Sequence, residues 1–196
     1  HQKVGAPGSY FCIVLFGVAT SFPHGVKDAQ VLQAGDMVLI DTGCKVHDYL
    51  SDITRTYVFG EPTDKQREFW NMEKTAQLAA FNAAKIGVPC EAVDDAARGY
   101  LASQGLGPEY QTPGCPHRTG HGIGLDIHEW PYLVGGNKTQ LATGMCFSNE
   151  PMLVIPDEFG IRLEDHFYMT DQGARWFTEP SSSIDDPFGL INSDNL

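Results

Sequence analysis

The sequence predicts an α+β fold made of two similar halves, and three observations support that prediction. Each half contains two strand-like segments joined by a turn, and each of these hairpins carries two acidic residues at matching positions. Two helical segments lie between the hairpins, and a segment rich in histidine and glycine precedes the second one. With 196 residues, of which 42% are hydrophobic, the chain is long enough for one domain with a buried core.

The strand predictions rest on apolar runs bounded by turn residues. Residues 8–18 are rich in β-branched and aromatic side chains, and their apolar run is too short to cross a bilayer, which takes about 20 residues. Residues 37–43 and 52–59 form the first predicted hairpin. Residues 145–155 and 161–169 form the second.

Two helices are predicted between the hairpins. The first starts after Thr63, because Gln66 three residues later completes a capping box, and it extends to about Ile86. The second covers about residues 91–104 and ends before Gly105. We expect residues 1–180 to form the catalytic domain and residues 181–196, rich in Ser, Asp and Asn, to form a C-terminal tail that is a loop or a frayed end.

Charge and cysteine content exclude several classes of partner. A net charge of −12 argues against nucleic acid or an anionic membrane as the main partner. The five cysteines are dispersed without a CxxC pair, which is typical of reduced thiols in a cytoplasmic protein.

The two hairpins each place a pair of acids face to face. Antiparallel partners have a constant index sum, so Asp41 is expected directly opposite Asp52, and Glu150 opposite Glu164. Any one of these acids alone is more often a turn or strand-end residue. One pair at matching positions in each of the two hairpins, four acids in all, is harder to explain by chance. Opposed like charges are unfavourable unless a cation neutralises them.

The segment "HRTGHGIGLDIHE", residues 117–129, supplies imidazoles between the acidic hairpins. Its glycines make a helix unfavourable, so a bend or bulge is needed to bring His121 and His128 to one cavity. We expect the glycines to let the backbone pass close to bound metals and turn sharply. Four carboxylates and an imidazole suit two divalent ions such as manganese, cobalt or zinc rather than copper or an iron–sulfur cluster.

Together these motifs resemble the pita-bread metallopeptidases of the aminopeptidase P and prolidase type. The resemblance covers nearly the whole chain and includes "PHG" at 23–25, "DTG" and "SDITRT" between 41 and 56, "NEP" at 149–151 and "RLED" at 162–165. It implies the pita-bread fold, in which a curved antiparallel sheet is covered by helices. The wording "HEWPYLV" and "RLED" is more similar to the Xaa-Pro peptidase branch than to methionine aminopeptidase.

The resemblance also implies a role for each site residue. Asp41 would bind one metal, Asp52 and Glu164 would bridge both, and His121 and Glu150 would bind the second metal. The implied metals are manganese or cobalt, with zinc or iron as alternatives. The residues expected to act on the substrate or the ligands are Glu150, His128, His24 and Arg162. We expect no role for His47 or His166 and assign none to His117.

The expected reaction is hydrolysis of the Xaa-Pro bond of dipeptides or short peptides. A metal-bridging hydroxide would attack the carbonyl, and Glu150 would move the proton to the leaving nitrogen. His128 would bond the carbonyl oxygen or oxyanion, His24 would lie over the substrate, and Arg162 would orient a carboxylate. A metal-free creatinase-like C–N hydrolase and an inactive pita-bread binding module are the alternatives, and the five metal-type ligands argue against both.

The internal repeat also predicts a missing element. The second half has two helices before its hairpin, whereas the first half begins at its strand. We therefore expect the first helix pair to be absent and the chain to be a fragment or shortened form. An apolar sheet face at residues 10–16 would then be uncovered, favouring self-association into a homo-oligomer and weak or absent activity.

Overall fold

The computed structural model describes residues 1–190, so the end of the predicted tail, 191–196, lies outside the described residues. The α-helices are α1 (Asp64–Ala83) and α2 (Cys90–Ser103). The strands are β1 (Ser9–Phe16), β2 (Met37–Val46), β3 (Tyr49–Leu50), β4 (Ile53–Val58), β5 (Gly120–Gly122), β6 (Glu129–Leu133), β7 (Cys146–Asn149), β8 (Met152–Ile155), β9 (Phe159–Arg162), β10 (Asp165–Thr170) and β11 (Gly173–Trp176). Short 3-10 helices cover Gln2–Val4 and Gly17–Ser21.

The strands form antiparallel sheets, one main sheet in each half. In the first half β2 pairs with β1, β3 and β4. In the second half the order is β11-β10-β7-β5-β6, and β8 pairs with β9 as a separate ribbon. The core lies where α1 and α2 pack on the second half, around fully buried side chains such as Trp70, Phe147 and Phe167.

The predicted helix starts are correct to within one residue. Thr63 caps α1 by accepting a hydrogen bond from the backbone N–H of Gln66, and the Gln66 side chain accepts one from the N–H of Thr63 at 2.9 Å. The end of α1 was predicted about three residues too late. The chain turns before Ile86 because Gly87, at φ 78°, donates its N–H to the Leu141 carbonyl.

The predicted register of the first hairpin is wrong by two residues. Asp41 pairs with Thr54 rather than with Asp52. The turn is the two-residue pair His47 and Asp48, both at positive φ (49° and 68°), which is the backbone of a tight hairpin. Because side chains alternate along a strand, a two-residue shift keeps Asp52 on the predicted face.

The predicted register of the second hairpin is correct, but each of its strands is interrupted. Asn149 pairs with Asp165 and Met152 with Arg162, so Glu150 and Glu164 lie at the same level between these pairs. Pro151 has no N–H to donate to the ladder. The backbone N–H groups of both glutamates bond instead to other segments of the chain.

The outer face of β1 is apolar and open to solvent in the described structure. Tyr10 is 57% exposed and Val14 is 39% exposed, and Cys12 between them is also exposed. Self-association through this face stays a prediction. All five cysteines are unpaired. Neither helix in the described part of the chain is long and apolar enough to cross a membrane.

The described part of the C-terminal segment packs on the domain and is not frayed. Phe188 lies edge-on to Tyr57, with 5.6 Å between ring centroids, and Asp185 forms an ion pair with Arg67 of α1. Ser181 is buried.

Candidate metal centre

The structure brings all five predicted metal ligands into one cage. Asp41 lies on β2, Asp52 before β4, His121 on β5, Glu150 after β7 and Glu164 after β9. Their ligand atoms form two overlapping groups, in each of which all atoms lie within 4.8 Å of one another: His121 with Glu150 and Glu164, and Asp41 with Asp52 and Glu164. Every one of the five is between 1% and 6% exposed.

Backbone hydrogen bonds, two of them between the halves and one within the second half, position these side chains. Glu164 donates its N–H to the carbonyl of Thr54 at 3.1 Å, and Glu150 donates its N–H to the carbonyl of Thr119 at 2.7 Å. Leu50, beside the first hairpin turn, donates to the carbonyl of Gly124 at 2.8 Å. The interruptions in the second hairpin therefore free the peptide groups that dock it against the rest of the cage.

The glycines of the histidine segment serve the sheet rather than a metal approach. A Cβ on Gly120 would lie 2.1 Å from the carbonyl oxygen of Ser148, and one on Gly122 would lie 2.6 Å from that of Glu129. The pairing of β5 with β6 shifts between His121 and Gly122, and a loop follows. The rings of His121 and His128 then meet at a centroid distance of 4.4 Å, as the predicted bend requires.

His121 presents a free nitrogen to the cage. Its Nδ1 lies 2.9 Å from the carbonyl oxygen of Gly122, and because a carbonyl only accepts, Nδ1 carries the proton and donates. Nε2 then keeps its lone pair, 3.1 Å from Glu150 Oε1 and 3.7 Å from Asp52 Oδ2. A backbone carbonyl that fixes the tautomer is the usual partner of a metal-binding histidine.

The donor set fits divalent cations. Asp41 Oδ1, Asp52 Oδ1 and Glu164 Oε1 are buried and have no hydrogen-bond partner among the described residues. Burial, followed by the charge of Asp41, raises the pKa of Asp52 to about 9. Burial, followed by the charge of Asp52, raises the pKa of Glu164 well above its usual value. Cations bound between these oxygens would remove both penalties.

Glu150 differs from the other carboxylates. Burial would raise its pKa, but in the metal-free protein a second proton on His121, placed on Nε2 and donated to Glu150, together with the charges of His117 and Arg162, lowers the pKa below its usual value. Glu150 is therefore ionised at neutral pH, which a proton acceptor requires.

The remaining predicted site residues surround a cavity of about 210 Å³ beside the cage. His24 lies 6.2 Å from His117, measured between ring centroids. His128 is exposed, and desolvation together with the charges of His121 and Arg118 lowers its pKa to about 4. A nitrogen of His128 also lies within 4.8 Å of ligand atoms of Asp52 and His121, so its geometry fits a ligand as well as a substrate contact.

Arg162 forms hydrogen bonds with Asp41 of the cage and with two residues next to it. Its Nη2 donates to Asp41 Oδ2 at 2.5 Å, its Nε to Thr54 Oγ1 at 3.1 Å and its Nη1 to the carbonyl of Pro23 at 3.2 Å. Its guanidinium thus holds one carboxylate and the backbone next to His24 in fixed positions.

Two hydroxyl groups in the cage were missed by reasoning from the sequence. Thr54 Oγ1 donates to Glu164 Oε2 at 2.7 Å. Ser148 Oγ accepts from the N–H of His121 at 3.0 Å and donates to Glu150 Oε1 at 3.3 Å. Both lie two residues before or after a predicted ligand on an extended segment, so strand alternation could have placed them on the same face.

Known proteins of similar sequence and fold support this picture. Residues 1–171 match Metallopeptidase family M24. The chain is 40% identical over 183 residues to an Xaa-Pro dipeptidase of Lactobacillus delbrueckii subsp. lactis, covering 93% of this chain and 48% of that protein. It is 39% identical over 172 residues to an Xaa-Pro dipeptidase of Pyrococcus furiosus, covering 88% and 48%.

Solved structures agree. The prolidase from Pyrococcus furiosus matches with a TM-score of 0.83 at 38% identity, over 91% of this chain and 52% of that one. The dipeptidase PepE from Mycobacterium ulcerans matches with a TM-score of 0.83 at 40% identity, over 91% and 47%. The pita-bread prediction is thereby confirmed, although the chain spans only about half the length of these relatives. By sequence and by fold, this chain belongs to metallopeptidase family M24.

Proposed function

We propose that the chain carries the catalytic centre of a metal-dependent hydrolase that cleaves the Xaa-Pro bond of short peptides, with residues 1–180 as the catalytic domain. The observation that carries the proposal is the cage of five buried ligands whose unpaired oxygens face one another next to an open cavity. The relatives named Xaa-Pro dipeptidase support the choice of substrate.

The ligands would divide between two sites that share the carboxylate of Glu164. Asp41, Asp52 and Glu164 form one group of oxygens, and His121, Glu150 and Glu164 form the other. Divalent ions here, manganese or cobalt first with zinc or iron as alternatives, would activate a water and polarise a peptide carbonyl. Arg162 would keep Asp41 oriented through its hydrogen bond to Oδ2.

The chain's own residues would then handle protons and charge. Glu150, ionised at neutral pH, takes the proton of the attacking water and passes it to the leaving nitrogen. His128 is neutral at pH 7 because its pKa is about 4, and its ring N–H donates to the oxygen of the scissile carbonyl. His24 lines the same cavity and would lie over the substrate, near the peptide nitrogen or the residue before proline.

The unpaired oxygens also weigh against the two alternatives. A metal-free creatinase-like hydrolase or a binding module gains nothing from three buried carboxylate oxygens without partners. Leaving such groups unsatisfied costs about 1–3 kcal/mol each. Retention of the full set therefore favours a metal-binding function.

Metal content and hydrolysis test the proposal together. We expect the purified chain to bind two equivalents of Mn²⁺ or Co²⁺ by elemental analysis and to release proline from Ala-Pro. Glu150→Gln should lower kcat at least about 100-fold, because general acid–base catalysis contributes 10²–10⁴. Glu158→Gln is the matched control, since Glu158 is exposed and bonds Lys65.

Turnover of the metal-saturated Glu150→Gln variant within tenfold of wild type would contradict the role given to Glu150. A chain that binds no metal yet hydrolyses a small C–N substrate would favour the creatinase-like alternative. Hydrolysis of Met-initiated peptides in preference to Ala-Pro would contradict the proposed Xaa-Pro specificity and indicate a methionine aminopeptidase-like specificity instead.

A further inference from the structure

Glu164 lies at an interruption of its strand, and two consecutive residues of β4 hold it there. Its N–H donates to the carbonyl of Thr54 at 3.1 Å, and its Oε2 accepts from the Thr54 hydroxyl at 2.7 Å. Its carbonyl oxygen accepts from Nη1 of Arg55 at 2.8 Å. Oε1 is buried and has no hydrogen-bond partner among the described residues. The contacts with β4 thus fix the backbone and one carboxylate oxygen of Glu164 and leave the other oxygen for a cation.

Arg55 is itself fixed by a buried ion pair with the residue that follows Glu164. Its Nη2 lies 2.7 Å from Asp165 Oδ1, and the two side chains are 11% and 0% exposed. Asp165 also accepts hydrogen bonds from Thr178 Oγ1 at 2.9 Å and from Gln77 Nε2 at 3.0 Å. Asp165 therefore sets the direction of the guanidinium whose other arm bonds the Glu164 carbonyl.

The chain that follows β11 completes this arrangement. Arg55 Nη2 donates to the carbonyl of Glu179 at 3.4 Å, and Phe177 donates its N–H to the carbonyl of His166 at 2.9 Å. Together with the hydroxyl of Thr178, these bonds place residues 177–179 against both members of the ion pair. The start of the C-terminal segment is therefore part of the structure that holds Glu164.

Glu164 is the ligand shared by the two groups of the cage. It belongs to the group with Asp41 and Asp52 and to the group with His121 and Glu150. A displacement of its side chain should therefore weaken both cation sites together. Removing a hydrogen-bond partner that orients a metal ligand typically costs 10–100-fold in metal affinity. An ion pair with a purely structural role would instead lower stability and leave the affinities of the folded protein unchanged.

We infer that Arg55, held by Asp165 and Thr178, is a positioning residue that fixes Glu164 for cation binding. Arg55 is absent from the lining of the cavity beside the cage and acts through Glu164. The inference rests on the cation cage of the proposed function.

Replacing Arg55 with lysine separates positioning from charge. A lysine ammonium keeps a positive charge beside Asp165 but lacks the planar fork with which arginine bonds Asp165 and the Glu164 carbonyl at once. In urea denaturation without metal, we expect Arg55→Lys to be about as stable as wild type. Calorimetric titration with Mn²⁺ should show both affinities lowered about tenfold, and Arg55→Gln should lower both by about 10–100-fold. Thr178→Val removes one bond to Asp165 and should lower both affinities by a smaller factor.

Arg67→Gln is the matched control. Arg67 forms an ion pair with Asp185 of the same C-terminal segment, but this pair is exposed and lies outside the cage and its cavity. Its Mn²⁺ affinities should equal those of wild type. Lower stability of both Arg55 variants with unchanged Mn²⁺ affinities would overturn the inference and leave a structural ion pair. A loss confined to one of the two cation sites would also overturn it, because Glu164 is shared.

Hydrolysis of Ala-Pro separates this inference from the proposed function. In Arg55→Lys the Mn²⁺ concentration that gives half-maximal activity should rise about tenfold, with KM for Ala-Pro unchanged. If wild type binds Mn²⁺ but hydrolyses no Xaa-Pro peptide, the proposed function fails, and the calorimetric comparison alone decides the role of Arg55. Active wild type together with unchanged Mn²⁺ affinities in Arg55→Lys and Arg55→Gln would reject the inference and leave the proposed function intact.

Discussion

Replacing Asp52 with asparagine should stabilise the metal-free protein and remove its response to metal. The Asp52 carboxyl is buried beside Asp41 and Glu164, and its Oδ1 has no hydrogen-bond partner among the described residues. Asparagine has nearly the same shape and no charge. It therefore removes the repulsion and removes a cation ligand in one step.

The size of the effect follows from the pKa of Asp52. Burial and the neighbouring acids raise the pKa from 3.8 to about 9 in the folded protein. Because the folded state binds this proton more tightly, the free energy of unfolding is highest below the unfolded pKa. It falls as pH rises from the unfolded pKa towards the folded pKa. At pH 7 the loss is about 4 kcal/mol, at about 1.4 kcal/mol per pH unit above 3.8. Asparagine does not ionise and so avoids this loss. Asp52→Asn can therefore raise the free energy of unfolding at pH 7 by at most about 4 kcal/mol.

Urea denaturation at pH 5, 7 and 9 measures this, with EDTA or with saturating Mn²⁺. In EDTA we expect Asp52→Asn to be more stable than wild type, by a margin that grows from pH 5 to pH 9. With Mn²⁺ the order should reverse, because only wild type gains binding free energy.

Asp94→Asn is the matched control. Asp94 is equally buried but accepts hydrogen bonds from Arg98, Thr119 and Gly135. Its replacement should destabilise the protein by about 2 kcal/mol or more, with or without metal. If Asp52→Asn were less stable than wild type in EDTA at all three pH values, the claim that the Asp52 charge is unfavourable without a bound cation would be refuted.

Three further changes test separate parts of the structure. His128→Ala should retain both metal equivalents and lower kcat by about 10²–10³, and elemental analysis showing one lost equivalent would make His128 a ligand beside His121. Thr63→Ala should cost about 1 kcal/mol in urea denaturation by removing the cap that bonds Gln66. Burial raises the pKa of Glu73 well above its usual value, so Glu73→Gln should flatten the fall in stability as pH rises, and parallel pH curves would contradict this.

The acidic face of the first hairpin was predictable even though its register was not. The turn begins one residue later than predicted, because His47 and Asp48 adopt the left-handed conformation of a two-residue hairpin loop. That moves the partner of Asp41 from Asp52 to Thr54, two positions along the same face. A shift of one residue would have turned Asp52 away from the cage, so strand alternation protects the site prediction from this error.

The buried polar side chains of α1 could not be predicted from the local sequence pattern. Glu73 and Gln77 are fully buried although they lie on a helix that is otherwise amphipathic. Gln77 donates to the carbonyl of Leu163 and to the carboxylate of Asp165, at the interruption of the second hairpin. Which face of α1 meets that interruption is decided by long-range packing, and periodicity does not encode it.

The contacts between the halves explain why the cage depends on both of them. Thr54 of the first half bonds Glu164 of the second through its hydroxyl and its carbonyl. Arg162 of the second half neutralises Asp41 of the first. Asp41 thus has its cationic partner, and Glu164 its Thr54 hydroxyl, only when the two halves are docked. Since an unpaired buried charge is strongly unfavourable, docking of the halves and assembly of the cation site are one event, and cations that bind the cage also hold the halves together.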